Sequence, residues 1–384
     1  MSIIEFPLNL PLHNVMTSLS KQIKSTLLSS QYIPMLVEKM EDAEKEEKDR
    51  FSYFQDIEII YYFIHQEKDM NASKNRKETT KKSYFNEILT FCQTLVTHAE
   101  EFEIRGDVVA KKESLLKAIE PWNVRRYGEY LRCAPLGKRK GEPYKPASLA
   151  KKTTIIKSFL SFLYESHYIE KPLHHEVKRS SVRSEDRPNR DLTLVEMEQI
   201  LSFYRTRSHI VNYTILLLLA TTGLRIREVT SAKMKDIHYL EGHYWLTVVG
   251  KRNKERQAYI SPMLFRSITE FRKNRGFQTE IGTGDESPLL LTIRGNAYNP
   301  NQLSNQVTKM VQDTALPFLA HRENPITPHT FRHLFAITAA ARGVEITKIQ
   351  RTLGHDSIYT TQIYLEKYLK RQDNAALSFA DDLR

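Results

Sequence analysis

The sequence has few of the features that mark disulfide-rich or membrane proteins. Its 384 residues contain two cysteines, Cys92 and Cys133, which lack CxxC spacing and suit a reducing compartment. The longest apolar run, 215–220, is far shorter than the ~20 residues that a membrane-spanning helix needs. The first residues lack the basic stretch of a secretory signal. These absences exclude a disulfide scaffold and predict a cytoplasmic protein with no membrane partner.

What the sequence does have is positive charge. Lys and Arg total 57 against 46 Asp and Glu, so the formal net charge is +11. Such a surplus is found either on an ordinary solvated basic surface or on a surface that binds a polyanion, usually nucleic acid. Apolar residues make up 40% of the chain, which is enough for packed cores. The length predicts two or three domains.

The pattern of apolar residues divides the chain into four segments. Residues 1–48 contain a polar helix that ends in an acidic run, and their role is open. Residues 49–175 carry four amphipathic helical patterns joined by basic connections, which predicts a small helical domain. Residues 176–191 are polar and charged without apolar period, which predicts a linker. Residues 192–384 mix helical patterns with a strand pair, so the fold class is mainly α with a small β-sheet.

The last segment has clear start and stop signals. Thr193 and Glu196 have the spacing of a capping box, which predicts the start of a helix. A buried helix ends at Gly223. A strand pair is predicted on either side of a turn at 251–254. Further helices are predicted to begin at Gln302, Pro328, Glu345 and Ser357.

Several basic residues occur next to these signals. Arg225 follows the stop at Gly223, and Glu228 lies on the same helical turn, where it would hold the guanidinium. Thr327 and Pro328 predict a helix start that places His329 and Arg332 on the first turn. Free backbone N–H groups at such a start favour a phosphate. The ordinary explanations are a surface ion pair and a capped helix with incidental basic residues.

A third segment carries a histidine and a tyrosine. Gly354 predicts the end of a helix and leaves His355 on a loop, and Tyr364 follows on the next helix. A helical tyrosine is usually a packing residue. Arginine and histidine side chains on separate elements can surround a phosphodiester, and cationic surroundings help a phenol to ionise. Lys251, at the tip of the strand turn, could protonate a leaving oxygen.

These motifs resemble the tyrosine recombinase (phage integrase) family, in that family's order and close to its spacings. They are Arg225 in GLRIRE, Lys251 in VVGKRNKER, His329 and Arg332 in HTFRH, and His355 and Tyr364 in LGHDSIYTTQIY. The family usually has glycine after the lysine, where Arg252 stands here. The resemblance covers about 190–370, and 49–175 is similar to the family's helical core-binding domain.

The resemblance implies a site-specific DNA recombinase, used in integration, excision or resolution. Tyr364 would form a 3′-phosphotyrosyl link, with Arg225, Arg332 and His355 on the non-bridging oxygens. His329 would assist proton transfer, and Lys251 would be the general acid. It also implies double-stranded DNA as partner, a homo-tetramer on two sites with exchange of the C-terminal segment, and no cofactor or metal. An accessory recombinase or DNA-bending protein stays open, as does the target sequence.

Three alternatives stay open at this point. His329, His333 and His355 could form a metal-dependent nuclease site, although no HExxH motif accompanies them. The chain could be a non-catalytic DNA-binding regulator on a recombinase fold, which would have no use for a nucleophile. Relaxation of the type IB topoisomerase kind would use the same chemistry.

Overall fold

The computed structural model describes residues 27–67, 69–71, 75–136, 141–182, 192–250 and 254–372. The chain divides into two compact units, with the boundary between 187 and 188. The architecture is mainly helical with one small sheet, which confirms the fold class predicted from the sequence. None of the helices in the described ranges is long and apolar enough to span a bilayer.

The first unit is helical wherever it is described. Its helices are α1 (Ile33–Lys45), α2 (Asp56–His65), α3 (Glu78–Thr97), α4 (Gly106–Lys112), α5 (Leu115–Ala118), α6 (Pro121–Cys133) and α7 (Pro146–Glu165). The central helix α2 is apolar on nearly every side and is buried almost throughout. It begins at Asp56, later than the pattern from Phe51 suggests, because Gln55 and Glu58 form a capping box there. Phe51 still packs into the core from the preceding turn.

Helix α1 shares the core of this unit. Its Leu36 and Met40 are buried in the same cluster as Ile60 and Phe63 of α2. Lys39 adds an ion pair to Glu58 at 2.7 Å. The described part of the N-terminal segment is therefore packed into the helical unit.

The second unit has helices around a three-stranded sheet. Its elements are α8 (Leu194–Thr206), α9 (Ile210–Thr222), α10 (Ile226–Ser231), β1 (Ile237–Leu240), β2 (His243–Val249), β3 (Glu255–Ile260), α11 (Pro262–Asn274), α12 (Pro300–Asp313), α13 (Pro328–Ala341), α14 (Ile346–Leu353) and α15 (Ile358–Gln372). The predicted capping box starts α8, since Glu196 N donates to Thr193 Oγ1 at 3.2 Å. Strand β1 and helix α11 are additions that the sequence analysis did not predict.

Helix α9 forms the centre of the second core. Its residues 215–219 are all buried, and each fully buried leucine contributes roughly 1.5–3 kcal/mol. The antiparallel sheet has the order β1-β2-β3, with Leu246 paired to Ala258 and Val248 paired to Arg256. A separate small cluster, which includes Ala336, Ile349, Leu353 and Leu365, joins α13, α14 and α15.

Candidate active site

Arg225 lies where α9 ends and α10 begins. Gly223 ends α9 with a φ of +60°, and a Cβ there would lie 2.8 Å from Cδ2 of Leu353. Glu228 accepts hydrogen bonds from the backbone N of Arg225 at 2.7 Å and from its Nη1 at 3.0 Å. Because the Glu228 side chain is only 3% exposed, it holds the Arg225 guanidinium at the margin of the core.

Arg332 lies on the first turn of α13 and is 1% exposed. Its Nη1 donates to the carbonyl oxygen of Gly223 at 2.7 Å, and its Nη2 to that of Leu353 at 2.5 Å. Arg225 reaches the same helix end, donating to Leu353 O at 3.5 Å and Gly354 O at 3.0 Å. The two guanidinium groups thus meet at the C-terminus of α14, the negative end of its dipole. Burial, and then the charge of Arg225, lowers the pKa of Arg332 to about 10.

His355 occupies the loop after α14, where Gly354 ends the helix with a φ of +64°. The imidazole is buried, and its Nδ1 lies 2.8 Å from Oγ1 of Thr361 on α15. Burial, followed by the charges of the Arg332, Arg225 and Arg256 guanidinium groups, lowers the pKa of His355 to about 3. The ring is therefore neutral near pH 7.

Tyr364 lies one turn after Thr361 on α15. Its ring is stacked on His355, with 5.0 Å between centroids and 21° between planes. The ring of His333 lies on it at 3.8 Å and 44°. Two imidazoles therefore contact the ring of this tyrosine, and the buried Thr361 holds one of them, that of His355. By contrast, Tyr359 is 62% exposed.

The structure describes one of the two remaining predicted site residues. His329 is exposed on the first turn of α13, after the predicted helix start at Thr327 and Pro328. Lys251 lies outside the described residues. The next described residue of that turn, Lys254, forms an ion pair with Asp356 at 3.2 Å.

The alternative metal site has no counterpart in the described ranges. Within them, no three His, Cys, Asp or Glu side chains are placed to share a metal ion. His333 and His355 instead both contact the ring of Tyr364.

One further arginine, which the sequence analysis missed, belongs to this cluster. Arg256 of β3 donates from Nη2 to Oε2 of Glu228 at 2.6 Å. A signal for it exists in the sequence, since Arg256 shares the inward face of the strand with Ala258 and Ile260. Thr361, which bonds His355, was also missed, and a lone threonine on a helix carries no such signal.

The chain is similar to known proteins. Residues 190–371 match the model of the phage integrase family. Tyrosine recombinase XerC of Rickettsia prowazekii (strain Madrid E) is 24% identical over 319 residues, which cover 82% of this chain and 95% of that protein.

Two solved structures have a similar fold. The post-cleavage complex of XerH site-specific recombinase with palindromic difH substrate has a TM-score of 0.53 at 17% identity, covering 83% of this chain and 92% of that one. A lambda integrase tetramer bound to a Holliday junction has a TM-score of 0.55 at 15% identity, covering 76% of this chain and 73% of that one. The family match thus assigns residues 190–371 to the phage integrase family, and the two solved structures agree with this chain in fold.

Proposed function

We propose that the chain cuts one strand of double-stranded DNA with Tyr364, holds the broken end as a 3′-phosphotyrosyl ester, and rejoins it to another strand. One observation carries the proposal. The ring of Tyr364 lies on His355, directly after the helix end at which Arg225 and Arg332 meet. Four separate segments of the chain thus bring a phenol and three phosphate-binding groups together.

The arginines suit the charge that develops on a reacting phosphodiester. Each guanidinium has five N–H donors, and the bonds to carbonyls described above use only part of them. The remaining donors would contact the non-bridging oxygens, where losing one such donor costs on the order of 3 kcal/mol. Nδ1 of His355 is hydrogen-bonded to Oγ1 of Thr361. Nε2 is therefore the ring nitrogen that would contact a phosphate oxygen.

The reaction needs two proton transfers. The Tyr364 oxygen attacks phosphorus, the bond from phosphorus to the 5′-oxygen breaks, and a 5′-hydroxyl leaves. His329 would assist removal of the phenolic proton, and Lys251 would protonate the leaving oxygen. The ester conserves the energy of the broken bond, so this chemistry requires neither ATP nor a metal ion.

The wider organisation follows from the same proposal. The helical segment 49–175 and the catalytic segment 192–384 would both bind the DNA, joined by the linker 176–191, while the role of 1–48 stays open. We infer a homo-tetramer on two DNA sites, in which residues 369–384 pack between protomers. The similar fold of lambda integrase, solved as a tetramer on a Holliday junction, supports this assembly. The enzyme would work in the cytoplasm, alone or with an accessory recombinase or DNA-bending protein.

A trapped covalent complex tests the proposal. The purified chain is incubated, in EDTA, with nicked duplexes drawn from the DNA that flanks its gene, and adducts are sought by denaturing electrophoresis. Mass spectrometry should find a nucleotide on the peptide that contains Tyr364. A metal-dependent nuclease would release free ends only without EDTA, and a regulator would bind without any adduct. Either result would remove the proposal.

A further inference from the structure

Glu228 is shared by two arginines. Its Oε1 accepts from Arg225 Nη1 at 3.0 Å, and its Oε2 accepts from Arg256 Nη2 at 2.6 Å. The carboxylate is 3% exposed, and the side chains of Arg225 and Arg256 are 32% and 11% exposed. Arg225 is thus the arginine at the surface of the site, and Arg256 lies behind it.

Arg256 is buried with incomplete hydrogen bonding. Its Nε and Nη1 are buried without a hydrogen-bond partner among the described residues. Leaving such donors unpaired is unfavourable, so the position requires an explanation beyond stability. Because both atoms are covered by protein, a DNA phosphate cannot reach them directly in this arrangement.

The same side chain lies under the turn that carries His355. A Cβ on Gly354 would lie 2.9 Å from Nε of Arg256 and 3.0 Å from its Cδ. The Gly354 carbonyl in turn accepts from Arg225 Nη2 at 3.0 Å. Arg256 therefore contacts both supports of Arg225, the carboxylate of Glu228 and the turn at Gly354.

We propose that Arg256 is a positioning residue of the active site, which clamps Glu228 and supports the turn at Gly354, so that Arg225 and His355 face the scissile phosphate correctly. This inference rests on the proposed DNA-cleaving function. Misplacing a phosphate-binding group by about 1 Å can slow a reaction by about 100-fold. Arg256 acts on the phosphate through its neighbours.

Its charge has a second effect. Glu228 pairs with the guanidinium groups of Arg225 and Arg256, and the third guanidinium of the site, that of Arg332, bonds only carbonyl oxygens in the described ranges. Burial and the charges of Arg332, Arg225 and Arg256 all lower the pKa of His355, whereas Asp356 opposes them. Removing Arg256 should therefore raise the pKa of His355, whereas changing an arginine outside the site, such as Arg272, should leave it unchanged.

The test compares Arg256→Gln and Arg256→Lys with a matched control, Arg272→Lys. Arg272 is another buried arginine of the same unit, hydrogen-bonded to Asp285 and Ser287. Three quantities are measured for each variant: the single-turnover rate of adduct formation, the Kd for the same DNA, and the midpoint of thermal unfolding. The native chain is assayed first, because a native chain without adduct would refute the proposed function itself.

Arg256→Gln should slow adduct formation by about 100-fold, with the Kd for DNA within about 3-fold of native. Arg256→Lys keeps the charge and one bond to Glu228, so it should recover about 10-fold of this loss. Arg272→Lys should alter stability alone. Equal rate losses in the Arg256 and Arg272 variants, or a loss in Kd rather than rate for Arg256→Gln, would overturn the assignment.

A histidine titration followed by NMR needs no DNA and separates the two proposals. Arg256→Gln should raise the pKa of His355, and Arg256→Lys should raise it less. Arg272→Lys should leave it at the native value. An unchanged His355 titration in a folded Arg256→Gln protein would show that Arg256 does not act on this site. If the glutamine variant does not fold, the lysine variant carries the same comparison.

Discussion

Two regions of the second unit bury arginine in opposite ways. Around Arg272, five acceptors meet the guanidinium: the carbonyl oxygens of Gln278, Pro288 and Leu289, and the side chains of Asp285 and Ser287. Its charge is balanced by the carboxylate of Asp285 at 2.7 Å. Around Arg332, the hydrogen-bond acceptors are two neutral carbonyls, and no carboxylate among the described residues lies within ion-pair distance.

The difference separates an arginine whose needs are met inside the fold from arginines that are suited to bind an anionic ligand. A buried charge is stabilised when its donors and its charge are both satisfied inside the protein, as in the Arg272 region. In the Arg332 region, positive charge exceeds negative charge and donors are left over. A phosphate would supply the missing charge and acceptors. Under the proposed function, the phosphate of a bound DNA would play this part.

The largest effect should come from removing the group that uses this surplus. Tyr364→Phe keeps the ring stacked on His355 but has no nucleophilic oxygen, so adduct formation should fall on the order of 10⁴-fold or more. DNA binding should stay within about 2-fold of native, because the phosphate-binding groups are intact. Adduct yield on the nicked duplex measures the loss of cleavage, and gel-shift titration measures DNA binding.

The exposed Tyr359 provides the matched control, since Tyr359→Phe also removes a phenolic oxygen from α15. It should form adduct at the native rate. An active Tyr364→Phe protein would assign the nucleophile to a neighbour such as Tyr368.

The comparison itself is tested by the same substitution in both regions. Arg332→Lys loses the forked donor pair in the site, so the single-turnover rate should fall by about 100-fold. Arg272→Lys leaves several acceptors unpaired, which should cost about 3 kcal/mol of folding stability while the folded enzyme keeps its rate. Quenched single-turnover reactions measure the rate, and urea unfolding measures the folding stability. Matching rate losses would show that both arginines are merely structural.

A smaller effect is expected from a substitution at Gly223, which joins the site to the core of the second unit. Gly223 supplies an acceptor for Arg332, and its φ is +60°. In Gly223→Ala, the new Cβ would meet Leu353 at 2.8 Å and Phe335 at 2.9 Å, so unfolding free energy should fall by about 3 kcal/mol. The adduct rate should fall too, because the carbonyl that orients Arg332 must shift.

Gly242 is the control for backbone strain alone. Its φ is +80°, and a Cβ there would have nothing within 4 Å. Gly242→Ala should therefore cost only about 1 kcal/mol, with no change in adduct rate. Equal losses for the two alanine variants, measured by urea unfolding, would contradict the close contacts at Gly223.

Local signals in the sequence predicted the elements that carry the site. The capping box at Thr193 and Glu196, the stop at Gly223 and the start at Thr327 are each present, because they depend on residues a few positions apart. Strand β1 was missed because only Ile237 of its four residues is buried, which leaves no alternation to read.

The convergence of the site is a different kind of prediction. No local sequence pattern predicts that Arg225 and Arg332 bond the same carbonyl of Leu353. The prediction that these arginines share one site therefore depended on the family resemblance. Arg256 was missed for the opposite reason. It lies in a run of charged residues that is typical of a solvated turn, so the strand face that it shares with Ala258 and Ile260 was overlooked.

The smallest effect follows from the low pKa of His355, about 3 against about 6.5 for a histidine in the unfolded chain. Between these values the unfolded chain binds a proton that the folded chain does not. Stability should therefore fall as pH drops from about 6.5 toward 3, with no contribution from this group above pH 6.5. The cause is burial first and then the guanidinium groups of Arg332, Arg225 and Arg256, so this dependence reports both the burial of the imidazole and the positive charge around it.

Urea unfolding between about pH 4.5 and 8 measures the effect, because this interval covers the upper part of the window and the flat region above about pH 6.5. His355→Asn cannot take up the proton, so its stability should change less than native below pH 6.5 and equally above it. His238→Asn, which alters an exposed histidine of β1, should keep the native slope. If His355→Asn kept the full native slope as well, the imidazole would titrate alike in the folded and unfolded chains. The positive charge would then be neutralised inside the protein, and the site would be a second version of the Arg272 region.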